Sequence, residues 1–300
     1  MFNRILLAFC CCLCSVSFAC EPSVSGKLNM HTIEAKVFPS QHTLRIWVPP
    51  DYDKPENAKK IYPVLYLLDG QNLFDRCTSY IGVEWNVDET IAQLISEEKM
   101  PPVIVVGIDN AGAKRAEEYL PFDDPFNPSA QDTRGKLFPK FLMQDVIPLV
   151  RSHYRIAEGA ENTAIGGSSY GGVAALNFAL NAPLFASKVL IESLSMQVGN
   201  GVLLRQTRDL FMVPPRIYVG IGSHERGNAA RDPLIVQSVQ QLAENLASAV
   251  IAPAVFFAVG EGHNHNESAW SKRLRQALIF LYGTGEANVK TSDVKLAKPG

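Results

Sequence analysis

The stretch Ala164-Ile165-Gly166-Gly167-Ser168-Ser169-Tyr170-Gly171-Gly172 constrains this chain more than any other. Apolar residues lead into it, a glycine-flanked serine sits at its middle, and Val173 to Leu180 leaves it with helix-forming composition. A turn this tight between strand and helix brings backbone against backbone. Side chains two positions before and after the serine would collide, and glycine removes them. Gly167-x-Ser169-x-Gly171 in that setting is the pattern of a nucleophile elbow, whose strained serine lifts its hydroxyl above the edge of a sheet. The amino end of the following helix faces any negative charge that develops there. A plainer reading is a glycine-rich β–α turn that happens to hold a serine. A phosphate-cradling loop is the other, but no lysine follows the glycines, so the P-loop pattern fails.

A chain of 300 residues with 47% hydrophobic content can bury one sizeable α/β core. Lys plus Arg is 28 against 30 acidic residues, so no basic field recruits nucleic acid. The expected partner is a small molecule.

Met1-Phe2-Asn3-Arg4 is a short positive start, Ile5 to Phe18 is an apolar run of secretory length, and Ser17-Phe18-Ala19 places small residues before a cut ahead of Cys20. The run is too short to span a membrane. Residues 1–19 are therefore expected to be a signal peptide, residues 20–284 the domain, and residues 285–300 a polar tail, with the protein periplasmic or secreted. A signal anchor and a mitochondrial presequence are the competing readings. Cys20 at the mature start also opens lipid attachment, although Ser17-Phe18 is a poor lipoprotein signal. Four cysteines leave with the segment, and Cys20 and Cys77 remain; whether they pair stays open at this point.

Downstream, Leu28–Val37 and Thr43–Val48 alternate apolar and polar residues around Pro39-Ser40, as an antiparallel edge hairpin does. From Tyr62 onward short apolar runs alternate with helical periodicity. Expected strands are Tyr62–Leu68, Val103–Ile108, the run into Ser169, Lys188–Glu192, Arg216–Gly220 and Ala254–Val259. Expected helices are Val87–Glu98, Leu137–Val150 (perturbed by Pro148), Val173 onward, Pro233–Ser248 and Ser268–Tyr282. Runs this apolar belong in a mostly parallel sheet covered by helices on both faces. The long segment Ala111–Gly135 reads as a substrate-contacting loop.

A serine hydroxyl needs a base beside it and a third group to orient that base. In this architecture the triad runs Ser, acid, His along the chain, each at a strand end. Ser223-His224-Glu225 follows one downstream strand and Gly260 to Glu267 follows the last. The expected base is His265, with His263 second, and the expected acid is Glu225, with Asp232 and Glu192 as alternatives. The oxyanion amides are expected at Tyr170 and at Gln71, less surely Gly70, in the loop after Tyr62–Leu68. His263-x-His265 with His224 and Glu225 could instead ligate zinc. That reading leaves the elbow unexplained, so no metal or organic cofactor is expected. Arg115 could meet an anionic substrate or pair with Glu118. Trp85, Tyr119, Phe122 and Trp270 suit an aromatic acyl group near the mouth, or simply the core.

These residues together resemble the putative-esterase family of α/β-hydrolases, which includes enterochelin (siderophore) esterases, feruloyl and acetyl-xylan esterases. The resemblance covers about Tyr62 to Tyr282. It rests on Leu67-Leu68-Asp69-Gly70-Gln71-Asn72, on Val106 to Asn110 with Arg115 and Glu118-Tyr119, on Gly166 to Gly172, and on His265-Asn266-Glu267-Ser268-Ala269-Trp270. It implies a serine carboxylic ester hydrolase, with the nucleophile at Ser169 and the histidine at His265. The family's G-T-x-D/E acid position falls on Glu225, where this chain departs to Gly222-Ser223-His224-Glu225. A siderophore, hydroxycinnamoyl or acetyl ester is the implied substrate. An acyltransferase of the same fold and a non-catalytic binding protein are the rival functions.

Overall fold

The computed structural model describes residues 20–283; the expected signal peptide and the whole of the expected tail lie outside them. Eight strands form one sheet in the order β1-β2-β4-β3-β5-β6-β7-β8. Lys27–Glu34 (β1) and Gln41–Val48 (β2) make the antiparallel hairpin at the edge, and β2 pairs antiparallel with Ile104–Ile108 (β4). All remaining pairings are parallel: β4 with Val64–Leu68 (β3), then Thr163–Ser168 (β5), Lys188–Glu192 (β6), Arg216–Gly222 (β7) and Ala254–Gly260 (β8). The interior strands are fully buried because helices cover both faces, which is why they read as unbroken apolar runs. Successive side chains of β3 alternate between the two cores. Val64, Tyr66 and Leu68 enter one with the elbow helix; Leu65 and Leu67 enter the other with Val87–Ser96 (α1) and Glu267–Tyr282 (α8). This is the α/β-hydrolase fold.

Two stretches differ from the sequence reading. The expected single helix at Leu137–Val150 is a short helix at Phe138–Phe141, a wide π turn at Leu142–Val146, and a helix at Ile147–His153. Pro148 has no amide to give and its ring crowds the carbonyl four residues back, so the ladder widens ahead of it and the Ile147 amide donates to the Leu142 carbonyl. The long segment Ala111–Gly135 is not wholly irregular, since Arg115–Tyr119 (α2) is helical. A short helix, Val202–Gln206, also interrupts the stretch after β6.

Among the described residues no helix is long and apolar enough to cross a membrane. Cys20 and Cys77 are disulfide-bonded, which fastens the amino-terminal strap to the loop after β3.

Candidate active site

Ser169 stands between β5 and Tyr170–Asn181 (α5) with φ 55° and ψ −122°, in the left-handed half of backbone space that a non-glycine residue seldom occupies. Its amide donates to the Glu192 carbonyl (2.9 Å), which pins the turn to β6. The glycines are there for space. A Cβ on Gly167 would lie 2.7 Å from the Gly171 backbone, and one on Gly171 would lie 2.9 Å from Asp69 Oδ2. The Ser169 hydroxyl faces Ser195 Oγ at 3.4 Å. The ladder of α5 begins with the Val173 amide on the Ser169 carbonyl, so the Tyr170 amide precedes it.

Gln71 lies in the single turn Gly70–Asn72 directly after β3. Asn72 and Leu73 spend their amides on Asp69 and Gly70 carbonyls, so the Gln71 amide lies ahead of them in the turn. The turn is braced on three sides. Thr78 donates to the Gln71 carbonyl (2.7 Å), Gln71 Oε1 accepts from the Asn110 amide (3.2 Å), and Asn110 Nδ2 donates to Asp69 (2.7 Å).

Glu225 and His265 come together from the ends of β7 and β8. The two loops are stitched by Ser223 N to Gly260 O (2.9 Å) and His224 N to His263 O (3.0 Å), while Asn266 caps α8 and so sets where His265 stands. His265 Nδ1 lies 2.5 Å from Glu225 Oε2. The other Glu225 oxygen accepts from Ser193 Oγ and the Gly222 amide, both at 2.7 Å. Burial alone would push this carboxyl up. The hydrogen bond and charge of His265, helped by Ser193 and Gly222, reverse that and hold it below its ordinary value. Trp270 stands edge-on to His265, ring centroids 5.3 Å apart, and donates to Ser193 Oγ at 2.9 Å.

The alternative acids are engaged elsewhere. Asp232 accepts the Arg226 and Asn228 amides at 2.9 and 2.8 Å. Glu192 is fully buried and paired with Arg273 at 2.7 Å; burial pushes it up to about 7 against the pull of that arginine. Arg273 also donates to His263 Nδ1 (2.8 Å), so His263 and His265 serve different partners, and exposed His224 turns to Ser223 Oγ. These contacts do not gather the donors of the zinc-type alternative on one point.

Two expected placements are corrected: Trp85 at the mouth and the Arg115–Glu118 pair. Trp85 is only 1% exposed and packs on Trp270 (5.8 Å), because it fills the core beneath α1 and α8 rather than the mouth. Arg115 does not pair with Glu118, which binds His42 at 2.7 Å. It forms a two-point bond to Asp69 (2.6 and 2.8 Å) with its guanidinium over the Tyr119 and Tyr170 rings, bracing the turn that carries Gln71. Tyr119, too, is core. The sequence reading missed Ser193, Ser195 and Arg273. The only trace of the first two was their place just after a strand end, and nothing local distinguishes such serines.

A cavity of about 770 Å³ is lined by Ser195, Glu225 and His265 together with Phe126, Arg226 and Arg231. Arg226 and Arg231 have no ion-pair partner among the described residues.

Comparison with known proteins agrees with this architecture. The chain is 24% identical over 246 residues to the Iron(III) enterobactin esterase of Escherichia coli (strain K12), covering 79% of this chain and 53% of that protein. This chain thus spans about half the length of the curated relatives it matches. The enterobactin esterase structure from Shigella flexneri, solved in the presence of enterobactin, superposes with a TM-score of 0.63 at 22% identity, covering 88% of this chain and 61% of that one. The BES protein from Bacillus cereus superposes at 0.66 and 18% identity, covering 86% and 97%. At these identities the structures speak for the fold. The family model described as Esterase, putative esterase, matches residues 35–281, and the chain belongs to that family.

Proposed function

We propose that this protein is an exported serine esterase that cleaves a carboxylic ester through Ser169, His265 and Glu225. The observation that carries the reading is the 2.5 Å contact of His265 with a buried carboxylate, set at the end of β8 in the same fold as a strained serine at the end of β5. With Glu225 on Nδ1, the imidazole keeps that proton and leaves Nε2 free to act as base. His265 takes the Ser169 proton as Oγ attacks the ester carbonyl. The tetrahedral oxyanion is held by the Tyr170 and Gln71 amides. His265 then returns the proton to the leaving alcohol, which departs and leaves an acyl-enzyme. A water that gives its proton to the same histidine releases the acid and restores Ser169.

The cavity supports an anionic, partly aromatic acyl group. Arg226 and Arg231 supply unpaired positive charge beside Phe126, which is 81% exposed. A catecholate ester of the kind named for the relatives fits that chemistry, and a feruloyl ester fits the aromatic part alone. Export is supported by the charged, apolar and small-residue order of residues 1–19 and by the Cys20–Cys77 disulfide, a bond that persists in oxidising compartments.

The test is hydrolysis of p-nitrophenyl esters, a catecholate siderophore and a feruloyl sugar by the mature protein and by Ser169→Ala. Turnover should fall by about 10⁴-fold or more in the variant with its melting temperature little changed. Retained turnover would overturn the assignment. No turnover together with no labelling of Ser169 by a phosphonate would leave a binding protein, and transfer to an added alcohol in preference to water would mark an acyltransferase.

A further inference from the structure

Away from the proposed triad, three carboxylates converge, and no cationic side chain among the described residues pairs with them. One oxygen each of Glu84, Asp88 and Glu89 lies within 4.8 Å of the other two. Each of the three also has a buried oxygen with no hydrogen-bond partner among the described residues: Asp88 Oδ1, Glu84 Oε2 and Glu89 Oε2. Asp88 is fully buried and Glu84 is 6% exposed. Among the described residues none of the three forms an ion pair. Arg76 exerts some pull on Glu84, but its guanidinium contacts go to Glu21.

Two of the remaining oxygens are already committed. Asp88 Oδ2 accepts the Ser25 amide at 2.6 Å, and Glu84 Oε1 accepts the Ser23 hydroxyl. Asp75 stands behind them and accepts the Ser23 and Cys77 amides at 3.3 and 2.9 Å. The amino end of α1 offsets about half a unit of charge, well short of three carboxylates. An unpaired buried charge costs several kcal/mol, so three together require a counter-charge or shared protons.

We propose that Glu84, Asp88 and Glu89 bind a divalent cation, and that the cation is calcium. The donors are all hard oxygens, which suit calcium, magnesium or manganese rather than zinc or copper. Oxygens bound to one calcium ion, each about 2.4 Å from it, are at most about 4.8 Å apart, and the three carboxylates lie within that limit. Magnesium demands a tighter octahedron with bonds of about 2.0–2.1 Å and sheds its waters reluctantly. Three carboxylates from one helix start and the loop before it, with water completing the shell, is a modest calcium site. Its affinity belongs in the range of about 10⁻⁴–10⁻³ M seen in extracellular modules.

The ion joins three pieces of chain: the strap Ser23–Ser25, the loop that Cys77 closes, and the start of α1. Its role is structural, and the proposal does not depend on the hydrolase reading.

The experiment uses the full mature chain stripped of metal by a chelator. Terbium, a calcium mimic, should luminesce on tryptophan excitation, since Trp85 lies between two of the ligands in the chain, and calcium should displace it. Calcium in the millimolar range should raise the melting temperature by several degrees. Glu89→Gln, at a half-buried helix position, should weaken terbium binding about tenfold and shrink the calcium-induced shift. Glu84→Gln with Glu89→Gln should abolish both. Absence of terbium luminescence and of any calcium shift in the wild type would overturn the proposal, as would a shift that both variants keep. A larger shift with magnesium than with calcium would overturn the choice of ion.

Discussion

Glu225 is the residue on which most of the proposed chemistry converges, since its contact with Nδ1 orients His265. Glu225→Gln keeps the shape but cannot hold the imidazolium, and kcat on a p-nitrophenyl ester should fall by about 10⁴-fold with little change in KM. The same substitution has a signature in stability. A carboxyl held below its ordinary value stabilises the fold above the ordinary carboxylate range and loses that contribution as pH falls through its folded value. The wild type should therefore lose melting temperature on acidification from about pH 6 to about pH 3 more steeply than Glu225→Gln, and the two curves should approach one another. Glu192 behaves with the opposite sign. Burial holds it up, so ionising it costs stability as pH rises, and Arg273 offsets that cost. Arg273→Met should destabilise by about 3–5 kcal/mol. Its deficit against wild type should widen above about pH 7, where Glu192 ionises beside Arg273 in the wild type but has no partner in the variant.

At the scale of the element, the elbow is the most demanding piece of backbone. It packs β5 against the first turn of α5 so closely that only hydrogen fits at Gly167. Gly167→Ala should cost about 1–3 kcal/mol through backbone displacement. Because the displaced atoms carry Ser169, activity should fall further than stability alone explains; an unchanged kcat would show that the turn is softer than its contacts imply. The π turn at Leu142–Val146 teaches a different lesson. Apolar spacing in Leu137–Val150 reads as one helix because the periodicity survives the interruption, and only the missing amide of Pro148 betrays it. Likewise α2 hides inside a loop because five residues carry too little periodicity to be recognised.

At the scale of the molecule, the sheet gathers residues separated by about a hundred positions, while the amino-terminal strap is held mainly from outside it. Cys20 and Cys77 are joined across a sequence separation of 57, and the strap's other bonds run to Asp75, Arg76, Glu84 and Asp88 and, within the sheet, to Trp47 alone among the described residues. Reducing the disulfide should lower stability by about 2–4 kcal/mol. Protein recovered from the periplasm or medium should begin at Cys20 and carry no free thiol. A cytosolic product that retains residues 1–19, or one with two reactive thiols, would count against export.

The local pattern by itself determined the strands, most helices, the edge hairpin and the elbow. Each depends on periodicity or on glycine spacing within a few residues, and burial on both faces leaves an unmistakable apolar run. Position after a strand end was enough to nominate His265 and Glu225, because a parallel sheet delivers all such ends to one edge. Only the tertiary structure showed which of Glu225, Glu192 and Asp232 meets His265, since all three are acids near strand or helix ends and differ in their partners. It also turned Arg115 onto Asp69 and Trp85 into the core, and it set Ser193 behind the carboxylate and Ser195 beside Ser169. A side chain's partner across the fold is fixed by packing between distant segments, and no pattern along the chain records it.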